Sequence, residues 1–358
     1  MGIYIHIPFC NSICSYCDFC KFLYNKKWVD NYLNVLQKEI NKNYKNELVR
    51  TIYIGGGTPS SLSIEQLNKL FEIIKILKKE KVIEFTFECN IEDINEPKLE
   101  LLKNNGVNRI SIGVESFNDK YLKFLGRNYK SKDIMNRIDL AKKYFDNINI
   151  DLIYALPNQT LEELESDIDK FLSLDINHIS TYSLIIEPNT KLYINKTKNI
   201  NDEKDFEMYN LICNKLKSKG YNHYEISNFS KESFESKHNL LYWNNLEYYG
   251  FGLGSGGYIG NIRYQNTRSF NNYINGKYML ERNEIDIDEK ISNEFILGLR
   301  KIKGINKLEF MNKYNKDIYS IECVKKLVKE NKLIDDGKNI FINPKYIYIS
   351  NDILVEFI

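Results

Sequence analysis

The sequence predicts an α/β protein built on an open, partial barrel of six β-α units, followed by a smaller C-terminal α+β unit resembling a winged helix. Three observations carry this expectation. Short β-rich runs alternate with longer amphipathic stretches over the first half of the chain. Glycines and polar residues gather just after those runs, where strand tips turn into loops. Past about residue 187 the rhythm breaks. The chain has 358 residues, long enough for one large domain or two to three smaller ones.

The candidate strands are Ile3–Ile7, Thr51–Ile54, Ile83–Phe87, Arg109–Ile112, Ile148–Ile153 and Ile179–Ser183. Between them lie helical patterns. Ile64–Lys78 places Leu67, Leu70, Phe71, Ile74 and Leu77 on one face, with Ser63 and Gln66 spaced as a capping box. A second helix is predicted over Leu161–Leu174. Repeated β-α units imply a parallel sheet with right-handed crossovers. Six units are two short of a closed eightfold barrel, and periodicity leaves a doubly wound sheet as the alternative. A polar segment, Glu187–Asp202, then leads to a helix over Glu203–Lys219 and to an aromatic, glycine-rich region reaching about residue 282. From Asp288 a helical unit ends in a hairpin, Lys332–Ile342, turned at Asp336-Gly337. The expected divisions are residues 1–187, 188–287 and 288–358.

Composition excludes several classes of function. Fifty basic residues against 48 acidic ones leave a net charge of +2, so no global field recruits nucleic acid. No apolar run approaches the roughly 20 residues needed to span a bilayer, and no signal peptide is visible at the N-terminus. Seven cysteines, an odd number with four of them between residues 10 and 20, do not read as a secreted disulfide framework. A soluble, cytoplasmic protein is expected.

The chemistry starts with Cys10, Cys14 and Cys17, spaced C-x3-C-x2-C directly after the first strand. Three thiolates can hold three irons of a four-iron cluster, leaving the fourth with an open position where a small molecule can bind. A zinc site would need a fourth ligand, drawn from Cys20 or His6; Cys20 is otherwise a spare thiol. Gly55-Gly56-Gly57-Thr58-Pro59-Ser60 ends the second strand, where a glycine run serves either as a tight turn or as a close backbone approach to a ligand. Glu88, Glu115, Arg127 and Asp151 follow or lie within later strands, on the rim where β-α proteins build active sites. Carboxylates there can accept hydrogen bonds from the ammonium and ribose hydroxyls of a nucleoside. His238, Tyr242 and Trp243 offer an imidazole and two aromatic faces that suit haem, although a lone histidine of this kind is more often structural.

Tyr4-Ile-His-Ile-Pro-Phe-Cys10 with its cysteine spacing, the Gly55–Ser60 run, Arg109-Ile-Ser-Ile-Gly-Val-Glu-Ser-Phe117 and Asp151-Leu-Ile-Tyr-Ala-Leu-Pro157 together resemble radical S-adenosylmethionine (SAM) proteins. More narrowly they resemble the oxygen-independent coproporphyrinogen III oxidase superfamily. The resemblance implies a partial TIM barrel with a [4Fe-4S] cluster on Cys10, Cys14 and Cys17. Its open iron would be chelated by the amino and carboxylate groups of SAM, which an electron would split into methionine and a 5′-deoxyadenosyl radical. It also implies that Tyr4, Gly56 and Glu88 lie near that nucleoside. Tyr16, Gly57, Thr58, Glu115, Arg127 and Asp151 would line a second nucleoside or substrate pocket. At position 115 the family more often has Gln, so this chain exchanges an amide donor for a carboxylate.

Within that superfamily, the oxidases carry an N-terminal extension and a fourth cysteine where this chain has Phe19. His238-Asn-Leu-Leu-Tyr-Trp243 resembles the H-N-x-x-Y-W motif of the HemW-type haem chaperone branch. That resemblance implies haem binding through His238, Tyr242 and Trp243, and delivery to a haem-requiring acceptor such as a membrane respiratory enzyme. Radical decarboxylation of coproporphyrinogen III, or another radical SAM reaction, is the alternative; His223 or a cysteine stays open as the iron ligand, and no separate catalytic residue is nominated. Gly250–Tyr258 resembles a glycine-rich loop of the same family, without the histidine often found there. Cys89, Cys213 and Cys323 read as packed thiols.

Overall fold

Period-two alternation governs the central strands, and it places two unlike faces on one sheet. The computed structural model describes residues 1–77 and 79–358. Its central strands are β1 (Gly2–Ile7), β2 (Thr51–Gly56), β3 (Glu84–Asn90), β4 (Arg109–Glu115), β5 (Ile148–Tyr154) and β6 (His178–Ser183). Each pairs in parallel with the next, in sequence order. A doubly wound sheet reverses direction at a switch point; this order never reverses, which removes that alternative. Ile5, Ile54, Phe87, Ile112 and Ile150 are buried in the main apolar core. The opposite parity carries Tyr4, Tyr53, Glu88, Arg109, Asn149 and His178. Parallel strands covered on both faces usually read as continuous apolar runs. Here one face is polar, and buried hydrogen bonds satisfy it: Arg109 donates to Thr86 and Asn149 to Ser180.

All six expected strands are present, with shifts of one residue at most at their starts. Their C-terminal ends reach up to three residues further than expected, because pairing continues into the functional tips. Thr160 caps α6 (Leu161–Ser173), one of the crossover helices, through a capping box with Glu163, and α1 (Lys26–Asn43) fills the long connection between β1 and β2. The capping box at Ser63 and Gln66 forms as spaced. That helix ends at Ile73 and tightens into a 3-10 turn over Ile74–Ile76; the last position of the longer helix expected there, Lys78, lies outside the described residues.

The aromatic, glycine-rich region continues the same sheet, an outcome the sequence pattern did not predict. β7 (Asn222–Glu225) and β8 (Asn228–Ser230) join the β6 edge, and β9 (Tyr248–Phe251), β10 (Gly256–Ile259), β11 (Ile262–Asn266) and β12 (Met279–Glu284) extend the β1 edge. The complete order is β12-β11-β10-β9-β1-β2-β3-β4-β5-β6-β8-β7, with an edge at each end, so the sheet does not close. A short helix, Lys237–Trp243, packs between these extensions. The C-terminal part has four α-helices, Ile287–Gly298, Lys307–Tyr314, Glu322–Lys329 and Ser350–Leu354, and a small sheet in which Leu333–Asp335 and Asn339–Ile342 form the expected hairpin. Among the described residues no helix is long and apolar enough to cross a membrane.

Candidate functional site

The C-terminal tips of β1 to β5 surround a cavity of about 140 Å³, and Cys10, Cys14 and Cys17 form one wall of it. Backbone pairing fixes the cysteine loop. Tyr24 N–H donates to Cys10 O at 2.8 Å, and Ser15 N–H to Leu125 O at 2.9 Å. The glycine run docks against it, with Gly57 N–H on Ile7 O and Thr58 N–H on Phe9 O, both at 2.9 Å. A Cβ on Gly57 would stand 2.9 Å from Cys10 Sγ and from Phe9 N. Glycine at this position is therefore required by close approach to the cysteine loop, not by a turn alone. Thr58 completes the contact by donating its hydroxyl to Cys10 Sγ at 3.4 Å.

Burial pushes the Cys10 thiol up to about 12 and raises Cys14 and Cys17 as well. Metal binding must therefore displace protons here. Among the described residues no three His, Cys, Asp or Glu groups meet at single-ion distance; the thiols share a wall, which suits a cluster gripped at three corners. The alternative fourth ligands are engaged elsewhere. His6 is bonded through Nε2 to Cys20 O at 2.7 Å and through Nδ1 to the Tyr4 hydroxyl at 3.0 Å. Cys20 Sγ points to Arg268 O, beside Gly254.

Glu88 reaches the cavity from β3. It accepts from the Tyr53 hydroxyl at 2.7 Å and from Gly56 N–H at 2.9 Å, while burial raises its pKa to about 7. Asp151 accepts from Asn149 at 2.9 Å and from Ser111 at 3.2 Å; burial raises it too. Glu115 sits at a register shift between β4 and β5 with φ of 68°, which aims it into the cavity. There it forms an ion pair with Arg127. Burial raises the Glu115 carboxyl and the adjoining guanidinium lowers it. Arg127 also donates to Tyr16 at 2.9 Å and to Asn90 at 3.0 Å. The carboxylate at 115 thus has its counter-charge built in. A second cavity of about 340 Å³ adjoins the first through Tyr16, Cys17, Glu88, Glu115 and Asp151, and runs on to Tyr182 and Glu187.

His238 lies outside the cysteine cavity, on the short helix Lys237–Trp243. It is 1% exposed. Its Nδ1 pairs with Thr51 Oγ1 at 2.9 Å and its Nε2 with the Tyr242 hydroxyl at 2.7 Å, so neither ring nitrogen is open. Glu84 anchors its helix by accepting from the backbone N–H groups of Lys237 and His238. Thr51 begins β2 and Gly56 ends it, so His238 sits towards the far end of that strand, with its ring 5.3 Å from that of Tyr53, whose hydroxyl bonds Glu88. Tyr242 packs edge-on to His238 and Tyr248, and the Trp243 ring is covered by Arg300 at 5.5 Å.

The chain matches the radical SAM superfamily over residues 4–171. It is 40% identical to the haem chaperone HemW of Bacillus subtilis, over 99% of this chain and 98% of that one. The HemW of Lactococcus lactis is equally similar, at 40% over 99% and 96%. This chain belongs to the HemW family of radical SAM proteins. Coproporphyrinogen III oxidase of Escherichia coli superposes on this HemW family member with a TM-score of 0.86, at 20% identity, covering 99% of this chain and 89% of the other; that likeness establishes the fold. Radical SAM membership implies a [4Fe-4S] cluster and SAM as cofactors. Sequence reasoning missed Asn90, Ser111 and Tyr53 in this HemW-family cavity. The polar parity of β2, β3 and β4 was the signal that could have found them.

Proposed function

We propose that this protein is a haem chaperone that carries a [4Fe-4S] cluster on Cys10, Cys14 and Cys17, binds SAM beside it, and passes haem to a haem-requiring acceptor, a membrane respiratory enzyme being the class in view. The observation that supports this reading is 40% identity to two haem chaperones along 99% of the chain. Held by Cys10, Cys14 and Cys17, an iron–sulfur cluster would supply an electron to the sulfonium of SAM. The chain's own groups bind and orient. Gly56 and Gly57 give clearance beside the thiols. Glu88 offers a carboxylate to an amino group and Asp151 accepts from hydroxyls, while Arg127 pairs with Glu115 and fixes its orientation.

Titration of the reconstituted full chain with haem tests the reading. A saturable Soret shift, followed by movement of the haem to an apo-acceptor, is expected; absence of saturable binding would sink it. Anaerobic incubation with coproporphyrinogen III, SAM and dithionite is expected to give no protoporphyrinogen, and its formation would replace the chaperone by the decarboxylase.

A further inference from the structure

Haem needs a flat apolar surface, cations for two propionates and a ligand for iron. The usual protein ligand is imidazole, but of the chain's four histidines three have both ring nitrogens bonded, and the fourth is stacked and bonded through Nε2. His6 and His238 use both ring nitrogens, as described. His178 bonds Asn149 and Tyr224. His223 stacks on Phe229 at 4.3 Å and bonds Ile226 O. A ligand for an exchangeable haem must therefore be sought among softer or phenolic groups at the surface.

One groove supplies all three requirements. It lies between the end of α1 and the face of β9 to β12, with a volume of about 530 Å³, inside the roughly 300–1,000 Å³ of small-molecule sites. Its floor is flat for a reason legible in the glycine-rich segment. A Cβ on Gly257 would stand 2.1 Å from Tyr264 Cζ, so glycine lets the Tyr264 ring lie across β10. The hydroxyl of Tyr264 then accepts from Gly250 N–H at 3.0 Å and donates to Gly250 O at 3.2 Å, which locks the ring. Ile259 and Ile262 continue the apolar surface.

Lys42, Lys45, Lys277 and Arg282 line the same groove, all exposed, and among the described residues none of them has an acidic partner within ion-pair distance. The carboxylate of the groove, Glu39, is already occupied by Gly252 N–H, Asn266 and the Tyr273 hydroxyl. The four cations therefore face an unanswered demand for anions. Met279, 52% exposed at the free-edge strand, places a thioether on the lip, and methionine sulfur is a known ligand of haem iron. A cavity of similar size beside the His238 helix offers fewer free cations: Arg50 has no ion pair among the described residues, but Lys313 is bound to Glu294 and Lys290 to Asn261.

We infer that this groove is the haem-docking site of the protein: the macrocycle lies on Tyr264, Ile259 and Ile262, the propionates meet the Lys42, Lys45, Lys277 and Arg282 side chains, and Met279 ligates the iron. The inference rests on the haem-chaperone reading above. A single soft ligand at an open lip suits a cargo that must be released again.

The test is haem titration of the reconstituted full chain carrying Lys42→Glu, Lys277→Glu and Arg282→Glu together, or Arg282→Glu alone as a milder variant of an exposed edge residue. Iron content and circular dichroism control for folding. The triple variant is expected to weaken binding at least about tenfold, the single one about threefold, consistent with loss of charge complementarity. Haem dimethyl ester, which lacks the carboxylates, is expected to bind the parent chain as weakly as haem binds the triple variant. Met279→Leu is expected to retain binding while losing the thioether ligation signature from the visible spectrum. Unchanged affinity in the charge variants, or binding lost in His238→Ala but kept in them, would overturn the groove. Failure of the parent chain to bind haem would overturn the chaperone reading itself, so the two failures are distinct.

Discussion

The two ends of the central strands both gather polar side chains and do opposite things. At the C-terminal tips, side chains from four strands and the cysteine loop converge on open space: three thiols, Glu88, Glu115, Arg127 and Asp151 surround a cavity. At the N-terminal end, His238, Thr51, Tyr242 and Glu84 converge on one another and leave none. A polar cluster whose bonds close internally stabilises the fold, whereas one that leaves acceptors facing a cavity can take a ligand. In this arrangement both ring nitrogens of His238 are held by protein groups.

Exchanging damage between the two ends sharpens this contrast, and the largest effect belongs to the cavity. Cys10→Ala, Cys14→Ala and Cys17→Ala should each reduce anaerobically reconstituted iron and acid-labile sulfide from about four of each per chain to background, with the brown absorbance lost and the far-ultraviolet circular dichroism kept. Cys20→Ala should retain the cluster, since its thiol faces Arg268 and Gly254. Full loss of iron in the Cys20 variant would show that the ligand set has been misread.

The opposite signature is expected from the other end. His238→Ala leaves the Thr51 hydroxyl and the Tyr242 hydroxyl without their partner in a buried site and opens a cavity, a combination that costs about 2–4 kcal/mol. A lower denaturant midpoint at unchanged m-value would register it, while iron and sulfide content stay at the parent level. A stable His238→Ala protein would break the comparison, because it would free the imidazole from a structural role.

How much of this the sequence disclosed follows from how local each feature is. The six central strands were legible because their alternation is strict, and the cysteines, Gly57 and Glu88 because each stands at or next to a strand tip. The extension β9 to β12 was not, since Gly250, Gly254, Gly256 and Gly257 interrupt the apolar alternation that marks a strand; Gly257 makes room for Tyr264, Gly250 for the backbone of Gly256 and Gly254 for the Cys20 side chain. Glu115 read as a departure from the family because its counter-ion, Arg127, lies 12 residues away on the far side of a helix. The placement of His238 depended on Thr51 and Glu84, more than 150 residues upstream, and no local pattern encodes that pairing.

The smallest expected effect separates the two ends by pH. Glu88 faces the cavity with its pKa raised from 4.5 to about 7, chiefly by burial. Between those values the folded protein holds a proton that the unfolded chain has released, so stability falls as pH rises through this window. His238 is depressed from 6.5 to about 3 by burial; there the unfolded chain holds the extra proton, and stability falls as pH drops from 6.5 towards 3. The two groups therefore tilt the same curve in opposite directions. Glu88→Gln removes one of them, so the stability of the variant relative to the parent should increase as pH rises from about 4.5 to 7 and level off above it. Denaturant midpoints of the apo-proteins at half-unit pH steps check this, and a flat difference would mean that Glu88 keeps its charge throughout. In that case its bonds to Tyr53 and Gly56 outweigh its burial, and the cavity presents a permanent anion to whatever amino group it receives.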